Sequence, residues 1–199
     1  MAVVGLQAHT VSSLEKTRQC HDEEKAALLQ FKHSFPSTNQ CNSSKLESWK
    51  EGGHCCSWEG VECDDHYHVV GLDLSQSCLF GSVNSSNAAA IFNLPRLKML
   101  DLSDNPDLSG YLPNFRSGSP LKSLRLYDTS LGGVLPPSIG NLASLEELYI
   151  GYCKFTGDLP MSLGNLTQLV YLHISGANLF TKLNGLYNMY LTDCLARWI

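Results

Sequence analysis

Little of this chain is charged, and several common signatures are missing from it. Charged residues make up 17% of 199 positions and the formal net charge is −5, so there is no basic footprint for a nucleic-acid backbone. No apolar run reaches the roughly 18 residues that a membrane-spanning helix needs. HExxH, GxSxG and a glycine-rich phosphate loop are all absent, which removes the usual marks of metalloproteases, serine hydrolases and nucleotide binders. A kinase would further need a paired Lys and a catalytic Asp motif, and neither occurs. The opening "MAVVGLQAHTVSSLEKTRQC" has only a short apolar start, not the 7–15-residue apolar stretch of a secretory leader. Catalysis is therefore not expected, and neither a cofactor nor a metal.

What is present is a folded composition. Hydrophobic residues are 43%, enough for a sizeable core in one domain. Eight cysteines fall at 20, 41, 55, 56, 63, 78, 153 and 194, five of them between Cys20 and Cys63. That density points to an oxidising compartment and a disulfide-stapled element. Zinc is the competing reading, but no CxxC exists, and the adjacent Cys55-Cys56 are poorly spaced for two ligands of one tetrahedral ion. The cysteines say "outside" while the N-terminus shows no leader. Residues 1–19 are expected to be a leader remnant or a disordered segment, with the true leader missing from this sequence; a chain that is never secreted is the alternative.

The chain repeats itself. "LKSLRLYDTSLGGVLPPSIGNLAS" (121–144) is followed by "LEELYIGYCKFTGDLPMSLGNLTQ" (145–168), each 24 residues long. Further units open at Leu169, at Leu97 and, more loosely, at Val69. The shared pattern is LxxLxLxxNxLxGxLP. Leu124 and Leu126 alternate with Ser123, Arg125 and Tyr127, which predicts a strand with one buried face. Asn105 falls where the chain leaves the strand, where a buried side chain can satisfy the backbone of the bend. Ser77, Thr129, Cys153 and Ala177 take its place elsewhere, so Cys153 is expected to be structural. Gly110, Gly133 and Gly157 allow a bend; Leu112, Leu135 and Leu159 return to the core. Ile139 with Leu142, and Leu163 with Leu166, close their coils. The unit at Leu97 departs from this, with one residue too many before Leu108 and Phe115 left to fill the closing positions. The step from Val69 to Leu97 is 28 residues, with "NSSNAAAIFNL" expected to bulge on the convex side. One coil cannot bury its own leucines, so the coils must stack, with a parallel sheet on one side.

This is the leucine-rich repeat, and the 24-residue length with its GxLP step resembles the plant-specific subtype. The expected fold is an α/β solenoid of about five coils over residues 69–182, with an irregular tail at 183–199 in which Leu183, Leu186, Leu191, Leu195 and Trp198 could cover the last coil as a poor helix. An open stack needs its other end covered too, and residues 20–68 are expected to do so. "CHDEEKAALLQFKHSF" reads as an amphipathic helix capped by Asp22, with Glu23 and Glu24 at its positive end. Leu28, Phe31 and Phe35 share its inner face and Pro36 stops it.

A cysteine, then "LLQFK", then "W…CCSWEGVEC", then the repeats, resembles the N-terminal cap of plant leucine-rich-repeat receptor proteins. Cys41, "LDLSQSCLFGSV" and "IFNLPRLKMLDLSDN" resemble most the receptor-like proteins of the disease-resistance type. Four cap cysteines allow three pairings, and spacing does not choose. The resemblance implies Cys20–Cys55 and Cys56–Cys63, with Cys41 and Cys78 left as a candidate third pair.

The outward positions should form columns across the sheet: Asp73, Asp101, Arg125, Tyr149, His173; then Ser75, Ser103, Tyr127, Gly151, Ser175; then Gln76, Asp104, Asp128, Tyr152, Gly176. The candidate ligand face is Asp101, Arg125, Tyr127, Tyr149, Tyr152, Tyr171 and His173, exposed Tyr being a common partner anchor. Five strands at ~4.8 Å spacing and ~5 residues each give a concave face of about 400 Å², half the ~800 Å² per partner of a stable interface. Three glycosylation sequons occur, at Asn42, Asn84 and Asn165. "DDHYH" (64–68) could suggest a metal site, but its place between cap and first strand favours a solvated turn. The function implied by the resemblance is extracellular recognition at the plasma-membrane outer face. It would bind a protein or peptide through the concave sheet, in defence or development, and signal through a co-receptor kinase. The same cap and repeats also resemble secreted polygalacturonase inhibitors, and a truncated remnant without binding function is the third alternative.

Overall fold

The computed structural model describes residues 19–36, 44–84, 86–175, 178–180 and 196–197. Among the described residues, twelve short strands follow a cap helix, α1 (Asp22–His33): β1 (Val61–Cys63), β2 (Val69–Asp73), β3 (Gly81–Ser82), β4 (Met99–Asp101), β5 (Asn105–Tyr111), β6 (Ser123–Arg125), β7 (Thr129–Gly133), β8 (Glu147–Tyr149), β9 (Lys154–Asp158), β10 (Tyr171–His173), β11 (Asn178–Phe180) and β12 (Ala196–Arg197). The even-numbered strands form one sheet in the order β2-β4-β6-β8-β10, with β1 and β12 added antiparallel at its two edges. Its registers set Leu72, Leu100, Leu124, Leu148 and Leu172 side by side, and all five are at most 2% exposed. Each leucine packs on the coil above and the coil below. Burying one removes roughly 1.5–3 kcal/mol of unfavourable exposure, which no lone coil could achieve.

A second sheet, β3-β5-β7-β9-β11, runs along the flank. The repeat pattern predicts a bend here and a single sheet, so this is a correction. The physical reason is pitch. Once β2 to β10 fix the coils one strand spacing apart, any other extended stretch lies at pairing distance from its copy in the next coil. The glycines do turn the chain, at φ 112° for Gly110, 75° for Gly133 and 87° for Gly157, but only at the end of each flanking strand. The extra residue before Leu108 is absorbed as a register shift between Asn105 and Ser109.

The bend after each inner strand is where Asn105 works. Its carboxamide is fully buried. Oδ1 accepts from the Ser77 and Leu79 N–H groups at 3.1 and 2.9 Å, and Nδ2 donates to the carbonyls of Leu74, Leu102 and Ser103 at 2.9–3.0 Å. One side chain therefore ties two coils together. In later coils two smaller side chains share this role. Thr129 Oγ1 donates to Leu126 O within its own coil (2.9 Å), and Cys153 Sγ donates to the same Leu126 O from the coil after (2.9 Å). Cys153 is a free, buried thiol, and burial pushes its pKa up. It is structural, as its position predicted.

On the convex side, Pro137–Asn141 and Met161–Asn165 are single 3₁₀ turns that bury Ile139 and Leu163. Phe115 replaces that turn in the irregular coil. It is 3% exposed, lies edge-on to Phe92 at 6.3 Å, and its N–H and carbonyl are taken by Ser138 and Asn141 of the next coil. The long first step forms a short helix, α2 (Ser86–Ala89), and a 3₁₀ turn at Ala90–Asn93, both packed against α1.

In the cap, Leu28 and Phe31 are fully buried, but Asp22 is not the N-cap. That position belongs to His21, which makes no side-chain capping bond, and Asp22 lies inside the first turn. The helix ends at His33, before Pro36 is reached. Cys20–Cys55 and Cys56–Cys63 are both bridged, each with Cα atoms 5.6 Å apart. Trp49 stacks on Trp58 at 5.4 Å and donates its indole N–H to Glu59 O. Cys78 is disulfide-bonded, while Cys41, Asn42, Ala177, Cys194 and residues 1–18 lie outside the described residues. So does most of the tail, including the residues expected to form a covering helix; Ala196–Arg197 is extended and pairs with Tyr171–Leu172.

Candidate ligand-binding face

Strand pairing puts Asp73, Asp101, Arg125, Tyr149 and His173 in one line across five coils. Each is flanked by inward leucines or, after Tyr149 and His173, an inward isoleucine, so each is forced outward by strand alternation. Arg125 is the centre of this line. Its guanidinium lies 5.4 Å from the Tyr149 ring centroid, 2.7 Å from Glu147 Oε2 and 3.9 Å from Asp101 Oδ2. The Glu147 hydrogen bond raises the Arg125 pKa against partial burial. For Glu147, partial burial pulls upward, but the bonds from Arg125 and Ser123 outweigh it and leave the carboxyl below its usual value. Asp73 behaves alike: burial is outweighed by Ser75 and Lys45, which lies 2.9 Å away.

Beyond Arg125 the face turns aromatic. Tyr127 is edge-on to Tyr152 at 5.3 Å and stacked on His173 at 5.6 Å; Tyr149 meets His173 edge-on at 6.0 Å. Ser175 Oγ fixes the imidazole from the far side, 2.6 Å from Nε2. Gly151 makes room for it, since a Cβ there would come within 2.9 Å of the His173 ring. Between the acidic and aromatic halves lies an open depression of about 290 Å³ lined by Asp101, Ser103, Arg125, Tyr127 and Tyr149.

Six of the seven residues expected on this face are thus brought together. Tyr171 is exposed but stands in the neighbouring column, level with Glu147. Tyr152 reaches the cluster from a different backbone setting than expected. Gln76, Asp104, Asp128 and Tyr152 lie just past their strands at φ 52–57°, held by N–H donation to the next coil. Glu147 and Ser123 were missed, although the alternation around Leu124 and Leu148 points both outward.

Other sites resolve differently. Asp64 accepts from the His66 and His68 N–H groups, and these bonds, that from His68 foremost, lower its pKa. His68 is not merely solvated: it stacks on His21 at 3.7 Å and contacts Glu24, which also accepts from Val69 N. Glu24 is only 3% exposed, so "DDHYH" clasps the cap to the first coil. Asn84 and Asn165 are both exposed.

With two sheets, a cysteine cap and this repeat on the page, comparison with known proteins decides the class. The model for a leucine rich repeat N-terminal domain matches residues 21–64, and the Leucine Rich Repeat model matches 120–142 and 144–166. The chain is a leucine-rich-repeat protein. Its curated relatives are plant receptor-like proteins. Among them, Receptor-like protein 9DC1 of Solanum pimpinellifolium is 34% identical over 156 residues, 71% of this chain and 18% of that one. The leucine-rich-repeat chain spans only 10–18% of such relatives. Among solved structures, a plant ice-binding protein superposes with a TM-score of 0.69 at 30% identity, covering 81% of this chain and 50% of that one. The ectodomain of the Arabidopsis thaliana receptor kinase GASSHO1/SCHENGEN3, in complex with CASPARIAN STRIP INTEGRITY FACTOR 2, superposes at 0.67 and 32% identity, covering 77% and 18%. Among the described residues no helix is long and apolar enough to cross a membrane.

Proposed function

We propose that this chain is the N-terminal part of an extracellular recognition module of the plant receptor-like kind, which binds a protein or peptide through its concave sheet and signals through a co-receptor kinase. The observation that carries the reading is the Arg125–Tyr149–His173 line with Tyr127 and Tyr152 beside it. Three tyrosines and a histidine are grouped on a concave surface where side-chain packing does not require them. One fold hosts many functions, as the ice-binding structural neighbour shows, so it is these residues and not the coil that favour recognition. The small face, about 400 Å² by strand spacing, fits one edge of a longer ligand-binding surface, in keeping with relatives several times longer. Asp73, Asp101, Arg125 and Glu147 are mutually paired or compensated, so they offer orientation more than net attraction.

The test is peptide selection on the oxidised chain. Random peptides displayed on phage are panned against it, and enriched sequences are remeasured on Tyr127→Ala, Tyr149→Ala and the convex-side control Met161→Ala. The expected result is tenfold or greater loss of affinity, about 1.4 kcal/mol, for either Tyr variant and none for the control. Enriched peptides indifferent to both Tyr variants would sink the reading.

A further inference from the structure

A second site, unconnected with ligand recognition, lies on the flanking sheet. Asn84 begins a glycosylation sequon, Asn84-Ser85-Ser86, and sits at the exit of β3. Its side chain is not loose. Oδ1 accepts a 2.7 Å hydrogen bond from the Tyr111 N–H of the next coil. Attachment of a sugar takes place at Nδ2 and leaves Oδ1 an acceptor, so a glycosylated Asn84 keeps this bond. The lock fixes the carboxamide, and with it the point from which the first sugar starts, directly beside Tyr111. That ring is 63% exposed and rests against Gly133, where any Cβ would collide with it. Asn84 and Tyr111 together line one open depression of about 330 Å³, which Ser109 and Ser130 also border. Both serines donate their hydroxyl protons to backbone carbonyls, of Gly81 and Pro106, which leaves their oxygens as acceptors at the border of the depression.

We infer that Asn84 carries an N-linked glycan whose first N-acetylglucosamine lies along the flanking sheet, its apolar face on Tyr111 and its hydroxyl and amide groups toward Ser109 and Ser130. An aromatic ring beside hydroxyl acceptors is what a sugar ring requires, because its C–H face is apolar and its edge is a belt of hydrogen-bonding groups. Asn165 supplies the contrast: it is exposed at the end of a convex turn, away from Tyr111 and its depression. The glycan would shield the flank of the first three coils and leave the concave face open.

The experiment uses the whole chain with a supplied secretory leader, made in a eukaryotic host that attaches high-mannose glycans and then trimmed enzymatically to single N-acetylglucosamine residues. Wild type, Tyr111→Ala and Ser86→Ala are compared; the last removes the sequon while leaving Asn84 and its hydrogen bond intact. Glycopeptide mass spectrometry should find Asn84 occupied. In the proton NMR spectrum, one acetyl methyl should be shifted upfield by the Tyr111 ring, disappear in Ser86→Ala, and move back to the position of the Asn165 sugar in Tyr111→Ala. Occupancy of Asn165 without Asn84, or an Asn84 acetyl signal coincident with that of Asn165, overturns the inference alone. Absence of sugar from every sequon overturns it as well and leaves the concave-face reading untouched.

Discussion

Asn105 shows how much one side chain can hold. Five buried backbone groups, drawn from two coils, depend on its carboxamide. Asn105→Ala leaves four of them unpaired at about 1–3 kcal/mol each before relaxation, Ser103 O keeping the Gln76 N–H as its donor, and a net loss on the order of 3–5 kcal/mol is expected in urea unfolding. Cys153→Ser keeps a small donor for Leu126 O and should cost under about 1.5 kcal/mol, whereas Cys153→Leu overfills the bend and should cost about 1–3 kcal/mol. In the native protein the Cys153 thiol, buried and with its pKa pushed up, should resist iodoacetamide at neutral pH and react only on unfolding. Glu147 is the titrating case. Its folded pKa is depressed, so its pairing contributes above the unfolded pKa of about 4.5 and is lost as pH falls through the folded value. The stability gap between wild type and Glu147→Gln should therefore close in acid. It should not exceed about 1 kcal/mol at neutral pH, since the pair is partly exposed.

At the scale of elements, the cap and the coils were legible for different reasons. The inner strands could be read because alternation is a local rule: Leu124 and Leu126 predict their own burial. The Cys20–Cys55 and Cys56–Cys63 bridges followed from resemblance, spacing alone leaving three pairings. The flanking sheet was not legible, since nothing in "TSLGGVLP" alternates; it exists only because neighbouring coils arrive at strand distance. The Glu24–His68–His21 clasp was hidden for a similar reason: Glu24 looks like an ordinary acidic residue of a first helical turn, and its partner lies 44 residues on. The two bridges should differ in worth. Chain-entropy arithmetic gives about 4 kcal/mol for the loop of separation 35 closed by Cys20–Cys55, and about 2.4 for the one of separation 7 closed by Cys56–Cys63. The double Cys→Ala variant of the first pair should therefore show the lower urea midpoint.

For the whole molecule, the stack makes stability a neighbour property. Leu148→Ala opens a hole in the shared core at a cost of about 2–5 kcal/mol. Hydrogen exchange should report the damage in the coils of Leu124 and Leu172 as well as its own, and far less in the disulfide-held cap. Protection lost evenly from cap to last coil would instead mean a single cooperative unit.

Two parallel ladders clamp every coil at a common spacing on two of its three sides. A single extra residue can be taken up as a bulge in the flanking ladder, as before Leu108, but a longer insertion escapes through the outer arc, as the four additional residues between Val69 and Leu97 do in forming Ser86–Asn93. Length can vary at the back of the spiral without disturbing the order of side chains at the front. Such a scaffold lets recognition be rewritten by point changes along the inner column while insertions accumulate harmlessly behind it.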